Sequence, residues 1–446
     1  VSCKEITVSG ETFGQALRRW RKLRGHSLRG LGALMNYSHV YIWEVEQDRK
    51  QPLANFTAAC DRYLDTGGQL IAIATSRRET SSAEEVTDGG RLEFPTDWVE
   101  GVGTVTSLWR HDAHRRKFLR NITFASTGLL APIQNWLDDP DESAPVERVS
   151  EPPTTDSVRA MTRTFRRLDN LYGAGQIQVA LVQYLDADVA PTLCGGTPDS
   201  LGRSFLSAVA EVTQLAGWLA YDSCDHGTGQ RYFLQALHLA KAAQDRALGA
   251  EILAAMSHQA IFLRKPQPAL DYANASYQAA IRERLPALAA EALIMQAHAL
   301  ALQRKTPECV RMLHEAETIL ASAERDNDPH WISYLDEAYL AAIAGHSFRL
   351  LGQPRQAERF ARRSLDMTPG YVRGRLFNTV LLAQACILCK DIEQACAVGH
   401  QALDLASTVS SARAATQISS LLGDLAPWRS EPTVKNLIER AALVSP

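Results

Sequence analysis

In TFGQALRRWRKLRG, residues 12–25, apolar side chains fall at Phe13, Ala16, Leu17, Trp20 and Leu23, the spacing of one face of a helix. Arginine and lysine fill the remaining surface at positions 18, 19, 21, 22 and 24, and Gly25 marks the stop. Ser27 is placed to cap a second short helix, LRGLGALM, and Ser38 a third that runs to Glu46 with Ile42 and Val45 on its inner side. A fourth helix follows through Leu53, Phe56, Cys60 and Leu64. Residues 76–104 and 138–156 lack such periodicity, are polar and hold Gly or Pro, as linkers do. The stretch 105–138 between them reads as helical through Leu108, Trp109, Phe118, Leu119, Ile122 and Phe124.

From about residue 156 the chain reads as helix after helix with almost no strand pattern. Small residues recur at Gly229, Ala269, Cys309, Ala357 and Ala395, spaced 40, 40, 48 and 38 apart. Twelve positions before each stands another small residue, Gly217, Ser257, Ala297, Gly345 or Ala383, where two helices are expected to cross. The prediction is an all-α chain: a helix-turn-helix bundle over 1–75, a linker region with one helical segment over 76–155, and an α-solenoid of helix pairs over 156–446.

Charge divides the chain the same way. The net charge is −3, yet residues 1–80 carry +4 and the remainder −7. A small basic end on a larger acidic body points to a local nucleic-acid contact and a different task elsewhere. The eight cysteines are scattered along a long chain and read as reduced thiols of a cytoplasmic protein. No signal peptide is expected, and no apolar run reaches the ~18 residues of a membrane span. The run RRKFLRNITFASTGLLAP at 115–132 imitates an export signal but reads as a linker helix.

The segment GHSLRGLGALMNYSHVYIWEVEQDRKQP resembles the XRE-type, lambda-repressor-like helix-turn-helix. A small-residue helix precedes a recognition helix that ends in the apolar–acidic pair Val45-Glu46, and Arg49, Lys50 and Pro52 follow. Leu28 and Gly32 depart from the usual glutamine and alanine. The resemblance implies a double-stranded DNA operator, read by a homodimer on two half-sites. It places Ser38 at the helix start and His39, Val40 and Glu44 toward base edges. Tyr41, Trp43, Arg49 and Lys50 fall toward the phosphate backbone.

The repeats resemble degenerate tetratricopeptide (TPR) repeats, longer than the ~34 residues of that motif. The two-part chain resembles actinobacterial transcription regulators of that architecture and, more distantly, the RRNPP quorum-sensing regulators. That resemblance implies a concave groove that binds a peptide or small-molecule effector. Residues just after each crossing are Trp218, His258, His298, His346 and Gln384. Seven positions earlier, on the same helix face, stand Glu211, Glu251, Glu291, Tyr339 and Phe377, with Tyr221 and Arg349 one turn beyond the ladder. A histidine ladder of this kind is expected to titrate near ~6.5. The competing reading is an adaptor whose repeats dock a partner protein, the helix-turn-helix serving as a tether. Cys386, Cys389, Cys396 and His400 imitate a metal set, but they sit on helices rather than the short loops zinc favours, and buried thiols explain them. No catalytic set, metal or cofactor is expected.

Overall fold

The computed structural model describes residues 12–35, 39–47, 54–64, 66, 69–70, 97–114, 155–175 and 177–444. Among them every regular element is helical, and no helix is long and apolar enough to cross a membrane. The chain divides into two compact units, residues 1–91 and 92–446.

The first unit holds α1 (Phe13–Leu23), α2 (Leu28–Met35), α3 (His39–Glu46) and α4 (Ala54–Leu64). Thr12 opens α1 with a reciprocal cap: its hydroxyl accepts from Gln15 N at 3.2 Å, and Gln15 Oε1 accepts from Thr12 N at 3.1 Å. Gly25 takes a φ of +71°, the left-handed conformation that ends a helix cheaply only in glycine. Ser27 Oγ accepts from Gly30 N at 3.0 Å and starts α2. Phe13, Leu17, Leu31, Ile42, Val45, Phe56 and Leu64 form the core. Arg21 does not join the basic surface of α1, where the sequence pattern put it. Its guanidinium is buried and grips Glu46 through Nε at 2.5 Å and Nη2 at 2.7 Å, while Nη1 donates to His26 O at 2.9 Å. Arg21 therefore ties α1 to α3 through Glu46 and braces the turn before α2 with the same guanidinium.

The second unit opens with α5 (Trp98–His114). This helix begins seven residues before the predicted start, because Asp97 accepts from the N–H groups of Val99 and Glu100 at 3.0 and 3.1 Å. Its predicted continuation past His114, with Phe118, Leu119, Ile122 and Phe124, lies outside the described residues, as do 76–96 and 115–154. The helix packs into the unit's core. Val105 and Trp109 are fully buried, Trp98 Nε1 donates to Gly196 O at 3.1 Å, and the Tyr232 hydroxyl donates to Asp112 at 3.0 Å.

After α6 (Thr155–Tyr172) and α7 (Ile177–Tyr184), a π-helical turn and two short helices, α8 (Ala190–Cys194) and α9 (Pro198–Leu201), lead to the pairs. These are α10 (Arg203–Asp222) with α11 (His226–Ala242), α12 (Arg246–Phe262) with α13 (Pro266–Arg282), and α14 (Pro286–Leu302) with α15 (Thr306–Ser322). There follow α16 (Glu337–Leu350) with α17 (Pro354–Arg363), α18 (Val372–Leu388) with α19 (Ile392–Ala406), and α20 (Ala412–Asp424) with α21 (Pro432–Val444). Helices of 17 residues alternate with three-residue turns, which gives the 40-residue period. The middle residue of each such turn has positive φ: Cys224, Gln244, Arg264, Arg284, Arg304, and later Gly352 and Lys390.

The small residues sit where helices cross. A Cβ on Gly217 would lie 2.8 Å from the Phe233 ring, and one on Gly229 would lie 3.1 Å from Gly217 O. Ser257 is buried and donates to Ala269 O at 2.8 Å across the next crossing. The 48-residue spacing marks an insert, residues 323–336, with two 3₁₀ turns braced by Arg325. That guanidinium reaches Asp328 at 2.7 Å, Ile332 O at 3.2 Å and Leu335 O.

The array bends until its ends meet. Ser410 N donates to Tyr172 O at 2.7 Å, and Gly175 N donates to Ser410 O at 3.1 Å. Gly173, at φ +80°, is required there, since a Cβ would lie 2.5 Å from Ser410 O.

Replacing Arg21 with methionine strands Glu46 in the core and is expected to cost about 3–5 kcal/mol, whereas Arg21→Met with Glu46→Leu stays close to wild type. Urea unfolding of the intact chain, followed by calorimetry of the small unit's transition, checks this. Equal losses in both variants would contradict it.

Candidate functional site

The bent array encloses a cavity of about 450 Å³. Its wall is drawn from α6 at Arg166 and Asp169, from the inner helices α10, α12, α14, α16 and α18, from the insert at Trp331 and Tyr334, and from α20 at Arg413 and Ser420. Of the residues singled out from the sequence, Trp218, Glu251, His258, Glu291, His298, Tyr339, His346, Arg349 and Phe377 line it. Three others stand just behind the wall. Glu211 is held by His330 at 3.3 Å and Arg166 at 4.0 Å. Tyr221 pairs its hydroxyl with His258 Nδ1 at 2.9 Å. Gln384 donates to Asp424 at 2.9 Å and Ser420 at 3.3 Å.

The insert supplies what sequence spacing missed. The Tyr334 hydroxyl lies 2.9 Å from Glu251 Oε2 and 2.6 Å from Glu291 Oε1. Both glutamates are buried, and burial is the main force that pushes both above the usual carboxylate range. For Glu251 the neighbouring charge of Glu291 adds to it. A phenol has one proton to give, so one carboxyl of the pair must carry its own.

The histidines behave otherwise than their ordinary chemistry suggests. His298 and His346 stack with ring centres 5.9 Å apart, and Trp218 packs on His258 at 5.4 Å. Burial depresses His258 and His346 well below the usual histidine range and holds His298 at about 3, with nearby arginine charge acting in the same direction. The expected titration near ~6.5 is therefore corrected. The ladder is neutral at pH 7, and its rings act as hydrogen-bonding and stacking surfaces.

A buried charge network closes the far side. Arg373 reaches Asp169 at 2.5 Å and Asp222 at 3.5 Å, and Arg413 reaches Asp222 at 3.0 Å. Although burial alone would raise it, the two guanidinium charges hold the Asp222 carboxyl below its ordinary range. The Arg413 guanidinium also lies 4.2 Å from the Tyr221 ring centre, 4.9 Å from that of Phe377 and 5.0 Å from that of Trp218.

In the first unit, α3 turns Ile42 and Val45 inward and leaves Trp43 exposed on the outer side, with Glu46 locked to Arg21. His39, Val40, Tyr41 and Glu44 belong to this helix, though their side chains are not among those described. Ser38, Arg49 and Lys50 lie outside the described residues. A short helix packed behind a second one is the arrangement of a helix-turn-helix, whose second helix enters a major groove. Residues 12–72 match the helix-turn-helix domain family. That match supports a DNA-binding role for this part of the first unit. No curated protein matches the chain. The helix-turn-helix match ends before the helical array begins, so the array's role rests on its own geometry.

The sequence reading also missed Asp169, Asp222, Arg373 and Arg413, which meet across roughly two hundred positions and belong to no repeat pattern. Cys386 and Cys396 are buried among helices, Cys389 Sγ contacts Glu358 at 3.4 Å, and His400 meets Arg440 at 3.3 Å.

The neutral histidines carry a signed pH dependence. Below about 6.5 an unfolded histidine takes up a proton that the folded one refuses, so its contribution to stability is present above that pH and lost as pH falls. Glu251 and Glu291 act in the opposite sense, their contribution being lost as pH rises through their elevated range. The variant His258→Gln/His298→Gln/His346→Gln is expected to lose less stability than wild type between pH 7 and 5, with His226 and His238 adding to the remaining slope and Asp169, Glu251 and Glu291 opposing it. Melting temperatures across that range test it, and parallel curves would refute it.

Proposed function

We propose that the protein is a transcriptional regulator that reads a two-half-site operator as a homodimer through α3, and that a small-molecule effector in the chamber of its TPR-like array switches that binding. The observation that carries this reading is the make-up of the chamber wall. One ligand there touches the first helix of the array, its inner helices, the insert and the last pair together. A ligand that favours one curvature of such an array biases a two-state equilibrium, which is what a switch requires. Of the two effector kinds expected, about 450 Å³ suits a compact molecule better than an extended peptide. The neutral histidines and Trp218 supply stacking surfaces for it.

Mobility shifts on DNA from the protein's own promoter region test the head. Wild type is expected to bind, and Arg49→Ala with Lys50→Ala to weaken binding on all sequences and reduce the salt slope by about 2. An unchanged slope would remove these residues from the DNA contact.

The same assay with culture extract tests the chamber. His258→Ala with His298→Ala is expected to bind DNA without extract as wild type does and to lose the response to extract. A retained response would place the effector elsewhere.

A further inference from the structure

Four carboxyls line the chamber: Asp169, Glu251, Glu291 and Asp336. Asp169 is paired with Arg373 at 2.5 Å, and Asp336 caps α16 by accepting from Tyr339 N at 2.7 Å. Glu251 and Glu291 have no such partner. Among the described residues no cation pairs with either, and they are held by each other and by the Tyr334 hydroxyl. Arg166, whose charge reaches Glu251, is turned instead to Gln214 at 3.3 Å and Glu211 at 4.0 Å. Glu291 Oε2 is buried with no N–H or hydroxyl from the described residues directed at it.

Aromatic faces surround the same end. Trp331, Tyr334 and Tyr339 line the wall, and Tyr334 meets Tyr339 edge to face at 5.4 Å between ring centres. Two acids without a cation, beside the electron-rich rings of Tyr334 and Tyr339, form a receptor for positive charge. A folded protein gains nothing from burying two carboxyls that must share a proton, unless something else brings the missing charge.

We propose that the ligand of this chamber is a cationic amine on an aromatic or apolar frame, its ammonium seated between Glu251 and Glu291 in place of the Tyr334 hydroxyl. The proposal rests on the reading that the chamber binds the effector, and it names that effector's chemical class. The amine enters already protonated. Its N–H groups donate to both carboxylates, the proton that the pair had shared passes to solvent, and no covalent bond changes. The frame lies along Trp218 and the His298–His346 stack. Because Tyr334 belongs to the insert, binding replaces the contacts of its hydroxyl with Glu251 on α12 and Glu291 on α14.

The test uses three molecules on one frame, tryptamine, tryptophol and indole-3-propionate, titrated calorimetrically into the full-length protein at pH 7.5 in two buffers of different ionisation enthalpy. Tryptamine is expected to bind at least ten-fold tighter than the other two, with release of up to one proton. Glu291→Gln is expected to lower tryptamine affinity at least ten-fold and abolish proton release, its melting curve confirming the fold. Tyr334→Phe, which removes the competing hydroxyl, is expected to bind tryptamine at least as tightly as wild type. Tighter binding of indole-3-propionate would place the ligand's charge at Arg264 and Arg349 and overturn the proposal. Equal binding of the three, or binding of none, overturns it too. The measurement needs no DNA, so the two readings fail separately. Amine binding without a change in the mobility shift would sink the switch alone. A response to extract without amine binding would sink the ligand class alone.

Discussion

Asp222 is the point on which the helical array depends. Its carboxylate is fully buried at the end of α10 and is compensated by arginines from α18 and α20, far along the chain. Removing either guanidinium would leave a charge in a low-dielectric interior, a far larger penalty than losing a surface pair. The array therefore cannot open gradually at this seam. Arg413 joins closure to chamber, because the group that neutralises Asp222 also lies against the rings of Trp218, Tyr221 and Phe377. Through it, the cavity wall is joined to the contact that keeps the ends together.

The sequence revealed the repeats well because they have a local cause. A glycine such as Gly217 or Gly345 is demanded by a neighbour at a fixed offset, so a period of small residues reports crossings directly. The ladder was legible for the same reason, since seven positions on a helix return to nearly the same face. The histidines' protonation was not legible, because identity fixes only the ordinary pKa and burial decides the rest. The closing network and Tyr334 were hidden for a third reason. The partners of Asp169, Asp222 and Glu251 lie 204, 191 and 83 positions away, and no spacing rule reaches them. The broken period announced that something lay between α15 and α16, but not that it reached back onto α12 and α14.

In the helix-turn-helix unit the difficulty was one of degeneracy. Four cationic side chains crowd α1 and a fifth, Arg24, caps it, and amphipathic spacing assigns them all to the wet face. Arg21 is the exception because Glu46 supplies the only kind of partner that makes its burial tolerable. Both ends of the chain thus use buried arginine–carboxylate forks, with different results. One fixes two helices within a small bundle, and the other joins the beginning of a long array to its end.

The turns between helices carry a mechanical consequence. From Cys224 to Arg304, each joint has the same length and the same left-handed middle residue, five times over at intervals of 20 residues. Identical joints share a load equally, and none of them is a natural hinge. Elastic deformation must gather where the tiling is interrupted, at 323–336, at the longer connection after α17, at 407–411 and at 425–431. The first two lie against the chamber, through Trp331 and Tyr334 and through Met367 and Tyr371, and the third holds Ser410 at the seam. The regular part of the array thus works as a rigid lever, with its compliance left to the irregular connections.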